Sequence, residues 1–231
     1  MQNVKDNQVE TNVQFLTAED AIAKIPANGA TMMVGGFGDS GIPEYLLQAV
    51  MNRDEVTELT IMSNNITEGS NLNELFLLNR IKKAIGSYFT TNKAVMKAYN
   101  EGRIDIELIP QGTFSEALRL GGSGIPAFYT PTSVGTELAE GKETRYFNNR
   151  EYVLEHSLSA DVALIKAHKA DKAGNLIYRK TARNFNPLMA MAADLTIVEV
   201  EEIVEVGELD PESIVTPFIF VDVIVKRVVN A

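Results

Sequence analysis

The stretch from Asn28 to Pro43 holds the densest set of residues able to handle a ligand. An apolar run, Thr31-Met32-Met33-Val34, leads into Gly35-Gly36-Phe37-Gly38, followed by Gly41 and Pro43. Glycine reaches positive φ and lets a backbone approach a bound group with no Cβ in the way. The helix opened at Pro43 would offer amides without intrahelical acceptors, suited to an anion or a carbonyl oxygen. Two more polar clusters, Ser63-Asn64-Asn65 and Pro110-Gln111-Gly112-Thr113, also follow runs that read as strands. In a doubly wound sheet, segments beyond the carboxyl ends of parallel strands meet on one rim. Amide donors gathered there can stabilise a developing oxyanion, which is what acyl transfer requires. Each segment alone is also an ordinary tight strand-to-helix turn; the three together mark a candidate site.

Other chemistries fit less well. Gly36-Phe37-Gly38-Asp39-Ser40-Gly41 matches the dinucleotide fingerprint G-x-G-x-x-G after a strand and before a helix. That fingerprint needs an acidic residue near the end of the second strand for the ribose hydroxyls, and here that strand ends in Ser63-Asn64-Asn65. Neither Ser40 nor Ser123 stands in the G-x-S-x-G elbow of a serine hydrolase. The two histidines, His156 and His168, lie near strand termini, where a hydrogen-bonded structural role is expected, and two alone make a poor metal set. With no cysteine there is no thiolate nucleophile, and no Walker-type lysine motif occurs. The chain is therefore rich in backbone donors but shows no evident nucleophile, which suggests that the nucleophile sits on another chain.

The elements that must position these groups alternate. Thr17-Ala18-Glu19-Asp20 reads as a cap opening a helix to Ile25. Strands are expected at Thr31 to Val34, Leu59 to Ser63, Ile81 to Phe89 and Ile104 to Ile109. Helices are expected at Glu44 to Asn52, Asn92 to Asn100 and Phe114 to Leu120. This rhythm implies an α/β fold with an open, mainly parallel doubly wound sheet and helices on both faces. The glycine- and proline-rich stretch from Gly121 to Gly141 suggests loops lining a site. Hairpins are expected at Asn148-Asn149 and Gly174-Asn175, and further strands at Ala160 to Ala167, Leu195 to Val200 and Ile219 to Val225. The acidic run Glu199-Val200-Glu201-Glu202 reads as a solvated strand end.

A chain of 231 residues suits one such domain, expected over 13–231 after a flexible polar segment, 1–12. The net charge of −10 argues against a general nucleic-acid binder. No apolar run is long enough for a membrane span and the first residues lack a signal-peptide core, so a cytoplasmic protein is expected.

Taken together, the motifs resemble family I coenzyme A transferases, specifically the α (A) subunit of the 3-oxoacid and acetate- or butyrate-acetoacetate enzymes. The resemblance rests on Asn28-Gly29, the glycine loop through Gly41-Ile42-Pro43, Ser63-Asn64-Asn65 and Pro110-Gln111-Gly112-Thr113. It continues through Gly121 to Thr132, Arg179-Lys180-Thr181-Ala182-Arg183-Asn184-Phe185-Asn186-Pro187 and Gly207 to Pro211, and so covers nearly all of the chain beyond Val13. It implies a CoA-transferase fold and a β subunit partner in an α2β2 assembly. It also implies ping-pong transfer of CoA between a short acyl-CoA and a carboxylate, such as acetoacetate with acetate, butyrate or succinate. The attacking glutamate would belong to the β subunit, in a Ser-Glu-Asn-Gly-type motif that this chain lacks. Coenzyme A is then a substrate, with no further cofactor and no metal. Gln111 would support the oxyanion, while Gly35, Gly36, Phe37, Gly38, Asn64, Asn65 and Gly112 would line the substrate and CoA cleft. The basic residues Lys166, His168, Lys169, Arg179, Lys180 and Arg183 are either a solvated face or a steering site for CoA phosphates or carboxylate. Two stretches depart from the family pattern: Ile66 to Glu74 carries one glycine where several are usual, and Phe218 follows Thr216-Pro217 where glycine is common. The alternative reading is a stand-alone CoA- or sugar-phosphate-binding protein of the same fold.

Overall fold

The computed structural model describes residues 11–228. Most of the expected leader, 1–12, lies outside them. In chain order the elements are β1 (Gln14–Phe15), α1 (Ala18–Ile22), β2 (Thr31–Val34), α2 (Glu44–Met51), β3 (Leu59–Met62), α3 (Asn71–Leu77), β4 (Ile81–Gly86), α4 (Lys93–Asn100), β5 (Asp105–Leu108) and α5 (Gln111–Gly122). There follow β6 (Ala127–Thr130), β7 (Thr144–Phe147), β8 (Arg150–His156), β9 (Ala160–Asp171), β10 (Leu176–Ile177), α6 (Asn186–Met191), β11 (Ala193–Val204) and β12 (Val223–Lys226). The main sheet runs β1-β12-β11-β9-β2-β3-β4-β5, every neighbouring pair parallel, with β10 antiparallel to β9. A separate antiparallel sheet has the order β6-β8-β7.

Both faces of the main sheet are buried, and side chains alternate between two cores as the period-2 geometry of a strand requires. Met32 and Val34 join one core and Met33 the other; Ile197 and Val198, and Leu164 and Ile165, divide in the same way. Helices α1 to α4 pack on the first face, whereas Phe114 and Leu118 of α5 and Met189 and Ala190 of α6 pack on the second. The connection after β2 runs through α2 to β3; the one after β9 runs through α6, on the opposite face, to β11 on the opposite side. The strand order therefore reverses between β2 and β9, and at such a switch point a crevice opens beyond the carboxyl ends.

Local chemistry sets the boundaries. Thr17 caps α1 by accepting the Asp20 amide, Ser70 caps α3 by accepting that of Asn73, and Asn92 caps α4 by accepting those of Ala94 and Val95. Helix α1 ends at Ile22 rather than Ile25, β4 ends at Gly86 rather than Phe89 and β9 runs on to Asp171, and further expectations need correction. Helix α5 starts at Gln111 rather than Phe114, because Pro110 (φ −53°) already serves as its N-cap residue. The stretch from Gly121 to Gly141 contains strand β6, which pairs with β8. Ile219 falls in a short 3-10 turn, Phe218–Phe220, and the last strand starts only at Val223. Helix α3 has no counterpart in the sequence reading, although Leu72, Leu75 and Phe76 bury one face at helical spacing.

Candidate functional site

At the carboxyl ends of β2 to β5 the sheet opens into a cavity of about 640 Å³. Each of the three polar clusters contributes to it: Phe37 and Gly38 after β2, Asn64 and Asn65 after β3, and Gln111 after β5. The residues that sequence reasoning missed are Asp39, Thr67 and Glu68, with Ser87, Tyr88 and Thr91 from the segment after β4. Thr67 and Glu68 belong to the stretch that departs from the family pattern, and that departure was the available signal. No residue from 121–141 lines this cavity.

The walls are cross-tied. Asn65 Oδ1 accepts the Gly38 amide at 3.0 Å and the Asn64 side-chain amide at 2.9 Å. Asn65 Nδ2 donates to Thr67 Oγ1 at 2.6 Å, and Thr67 Oγ1 donates to the Gly38 carbonyl at 2.9 Å. The end of β3 therefore fixes the tip of the glycine loop. Asn64 Oδ1 and Ser87 Oγ are buried without a hydrogen-bond partner; in native proteins such atoms are few and call for an explanation. Phe37 and Tyr88, 46% and 52% exposed, supply aromatic faces at the mouth. Gln111 is exposed in the first turn of α5, among amides that lack intrahelical acceptors.

Gly35, Gly36 and Gly112 do not line the cavity. The first two serve close approach within the protein. A Cβ on Gly35 would fall 1.8 Å from Asn186 Oδ1, and one on Gly36 (φ +124°) would fall 2.8 Å from Ile42 Cγ1. Asn184 Oδ1 accepts the Gly36 amide at 3.2 Å and its Nδ2 donates to the Ser40 carbonyl at 3.0 Å. Asn186 Nδ2 donates to the carbonyls of Gly41 and Ala182 at 3.1 and 2.9 Å. The segment after β9 thus grips the loop after β2 across the switch point.

The amides at the start of α2 are also already taken. Glu199 Oε2 accepts from Tyr45 and Leu46 at 2.8 and 3.2 Å. Far from ending a strand in solvent, Glu199 is 1% exposed, and Lys166 Nζ stands 3.7 Å from its Oε1. Burial pushes its carboxyl above the usual range, against the pull of Lys166 and the two amides. His168 has the expected structural role, with Nδ1 2.8 Å from Glu201 Oε2.

The coenzyme A transferase model matches residues 15–227. This chain belongs to the coenzyme A transferase family. It is 51% identical over 219 residues to the A subunit of a succinyl-CoA:3-ketoacid coenzyme A transferase from Xanthomonas campestris pv. campestris, covering 94% of this chain and 89% of the relative. The A subunit of a 3-oxoadipate CoA-transferase from Pseudomonas putida is 48% identical over 201 residues, covering 86% and 87%. The same fold occurs in glutaconate coenzyme A-transferase from Acidaminococcus fermentans, with a TM-score of 0.77 and 22% identity, covering 92% of this chain and 75% of that one. An acyl-CoA transferase from E. coli O157:H7, in a thioester complex with CoA, gives a TM-score of 0.79 at 20% identity. The match covers 93% of this chain but spans about half, 47%, of the E. coli chain. Among the described residues, no helix is long and apolar enough to cross a membrane.

Proposed function

We propose that this chain is the α (A) subunit of a heteromeric CoA-transferase and forms the donor-lined wall of a site whose nucleophile comes from a β subunit, in an α2β2 assembly. The observation that carries this reading is the convergence of Phe37-Gly38, Asn64-Asn65 and Gln111 on one cavity. That cavity holds two carboxylates, and neither is poised to attack. Glu68 Oε1 accepts the Lys93 amide at 3.1 Å, and Asp39 sits on an exposed loop tip.

In this reading the transfer is ping-pong. A glutamate of the partner attacks the thioester carbonyl of an acyl-CoA, and negative charge builds on that oxygen. Gln111, at the start of α5, donates to it. The CoA thiolate leaves as an acyl-glutamyl anhydride forms; the thiolate then attacks the glutamyl carbonyl, giving the glutamyl-CoA thioester and releasing the first carboxylate, and an acceptor carboxylate reverses the sequence. The acids exchanged in this reading are short, acetoacetate with acetate, butyrate or succinate. CoA is a substrate throughout, and no metal or other cofactor takes part.

The test is co-production with a β-like chain carrying a Ser-Glu-Asn-Gly motif, followed by assay of CoA transfer between short carboxylates. Incubation with acyl-CoA alone should place a CoA-sized mass on a glutamate of the partner. Transfer by this chain in isolation, or a CoA adduct on Glu68, would overturn the assignment.

A further inference from the structure

We propose that β7 is the contact between two copies of this chain, its open edge pairing antiparallel with the same edge of a second copy about Tyr146. The inference deepens the α2β2 reading, on which it rests for the presence of two copies, by placing the contact between them.

The hydrogen-bonding phase of β7 leaves one side of the strand open. The Leu154 amide donates to the Glu143 carbonyl at 2.8 Å, and the register continues with Arg145 opposite Tyr152 and Phe147 opposite Arg150. The odd-numbered residues therefore exchange bonds with β8, and the amides and carbonyls of Thr144 and Tyr146 point away from it. None of those four groups meets another backbone group among the described residues. The other sheet edges carry the usual guards against pairing. Strands β1 and β10 are two residues long, β5 carries Asp105 and Glu107, and β6 stands between Pro126 and Pro131. Strand β7 has no proline and presents Tyr146, 67% exposed, and Phe147, 42% exposed. Its one charge does not guard it, because Arg145 is held by Glu143 at 3.2 Å and lies 5.2 Å from the Tyr129 ring centre.

Electrostatic complementarity selects a second copy as the occupant. With a two-fold axis at Tyr146, that residue exchanges both amide–carbonyl bonds with its counterpart. Arg145 of each copy then comes opposite Phe147 of the other, at the non-hydrogen-bonded positions where side chains approach most closely. A guanidinium against an aromatic ring is attractive, and the symmetry makes the contact twice. Arg145 and Phe147 share one face of the strand. On that face the Phe147 ring packs 5.4 Å from those of Tyr129 and Tyr152, so the aromatic clusters of the two copies become continuous. Moving the axis one residue, to Arg145, would set two guanidinium groups directly opposite, which is destabilising. The sequence Arg145-Tyr146-Phe147 is thus complementary to itself about its middle residue, as a two-fold contact requires.

The chain has no cysteine, so Tyr146→Cys introduces a single thiol. Opposite residues of a hydrogen-bonded pair lie about 5.5 Å apart at Cα, within reach of a disulfide. Mild oxidation of the full chain should join two copies through Tyr146→Cys and not through Arg145→Cys. In analytical ultracentrifugation the wild-type chain should dimerise. Tyr146→Lys sets like charges across the axis and should weaken the dimer about tenfold or more, with the far-UV circular dichroism spectrum unchanged. If that spectrum does change, the cross-link decides alone. Co-produced with the β partner, Tyr146→Lys should halve the complex from α2β2 to αβ. A wild-type chain that stays monomeric, or a cross-link through Arg145→Cys in place of Tyr146→Cys, would overturn the contact. So would loss of the β subunit from the Tyr146→Lys complex, which would assign β7 to that partner. If the wild-type complex moves no CoA between acids, the transferase reading fails, and the cross-link in the isolated chain still decides whether β7 pairs with itself.

Discussion

Asn186 Oδ1 stands 1.8 Å from the point a Cβ on Gly35 would occupy, so the first glycine of the loop is dictated by an amide 151 positions later in the chain. Asn186 has no room to yield. It is fully buried, its Oδ1 accepts the Lys166 amide at 3.0 Å, and its Nδ2 serves Gly41 and Ala182. Gly35→Ala should therefore destabilise the folded chain by about 2–3 kcal/mol, as forced overpacking does. Gly38→Ala meets open space and bears only its φ of +57°, a cost of about 1 kcal/mol. Thermal unfolding of the two variants in the assembled complex should rank them in that order, and the reverse order would contradict the close-approach account.

Gln111 is exposed and makes no side-chain hydrogen bond within the described residues, so Gln111→Ala removes little that holds the fold. If it meets the oxyanion, kcat should drop by about a hundredfold, the usual effect of deleting one such donor. Formation of the complex and its melting temperature should stay put. Unchanged turnover would exclude Gln111 from the role.

Glu199 offers a pH test. Burial raises its pKa, so the native chain holds that proton more tightly than the unfolded chain does. The associated stability is present below the unfolded carboxylate value of about 4.5 and is lost as pH rises through the higher folded value. Glu199→Gln keeps an acceptor for Tyr45 and Leu46 but cannot titrate, so its melting temperature should gain on the wild type as pH rises above about 4.5 and through the raised folded value. Glu199→Ala leaves two amides and Lys166 unanswered and should cost about 3–5 kcal/mol. A constant difference between the glutamine variant and the wild type across that range would show that Glu199 does not titrate there.

The same residue shows where sequence reading stops. Apart from helix α3, the alternation of strands and helices from Thr31 to Leu120 was legible, because apolar runs, Asn92 and the glycine breaks are local signals. So were three corners of the cavity, since a parallel sheet gathers its strand ends on one rim. The purpose of Gly35 was not legible: it depends on Asn186, remote in sequence. Glu199 looked solvated beside Glu201 and Glu202, yet the start of α2 lies over it and the other two face His168 and Lys169. Ser87 and Tyr88 gave no compositional signal, because they enter the cavity only through the position of β4.

Glu68 should bear on acyl selectivity. It and Asp39 put two negative charges into a wall with no cation. An acyl group ending in a second carboxylate meets repulsion there, and Glu68 cannot swing away without giving up the Lys93 amide. Glu68→Gln retains an acceptor for that amide and removes the charge. The ratio of kcat/KM for succinyl-CoA to that for acetoacetyl-CoA should rise about fivefold, the effect of relieving one like-charge contact of ~1 kcal/mol in water-like surroundings. Lower salt should widen the wild-type discrimination and leave the variant's ratio nearly flat, since the contact is exposed enough to be screened. An unchanged ratio would mean that the acyl group lies outside this cavity, against the partner chain.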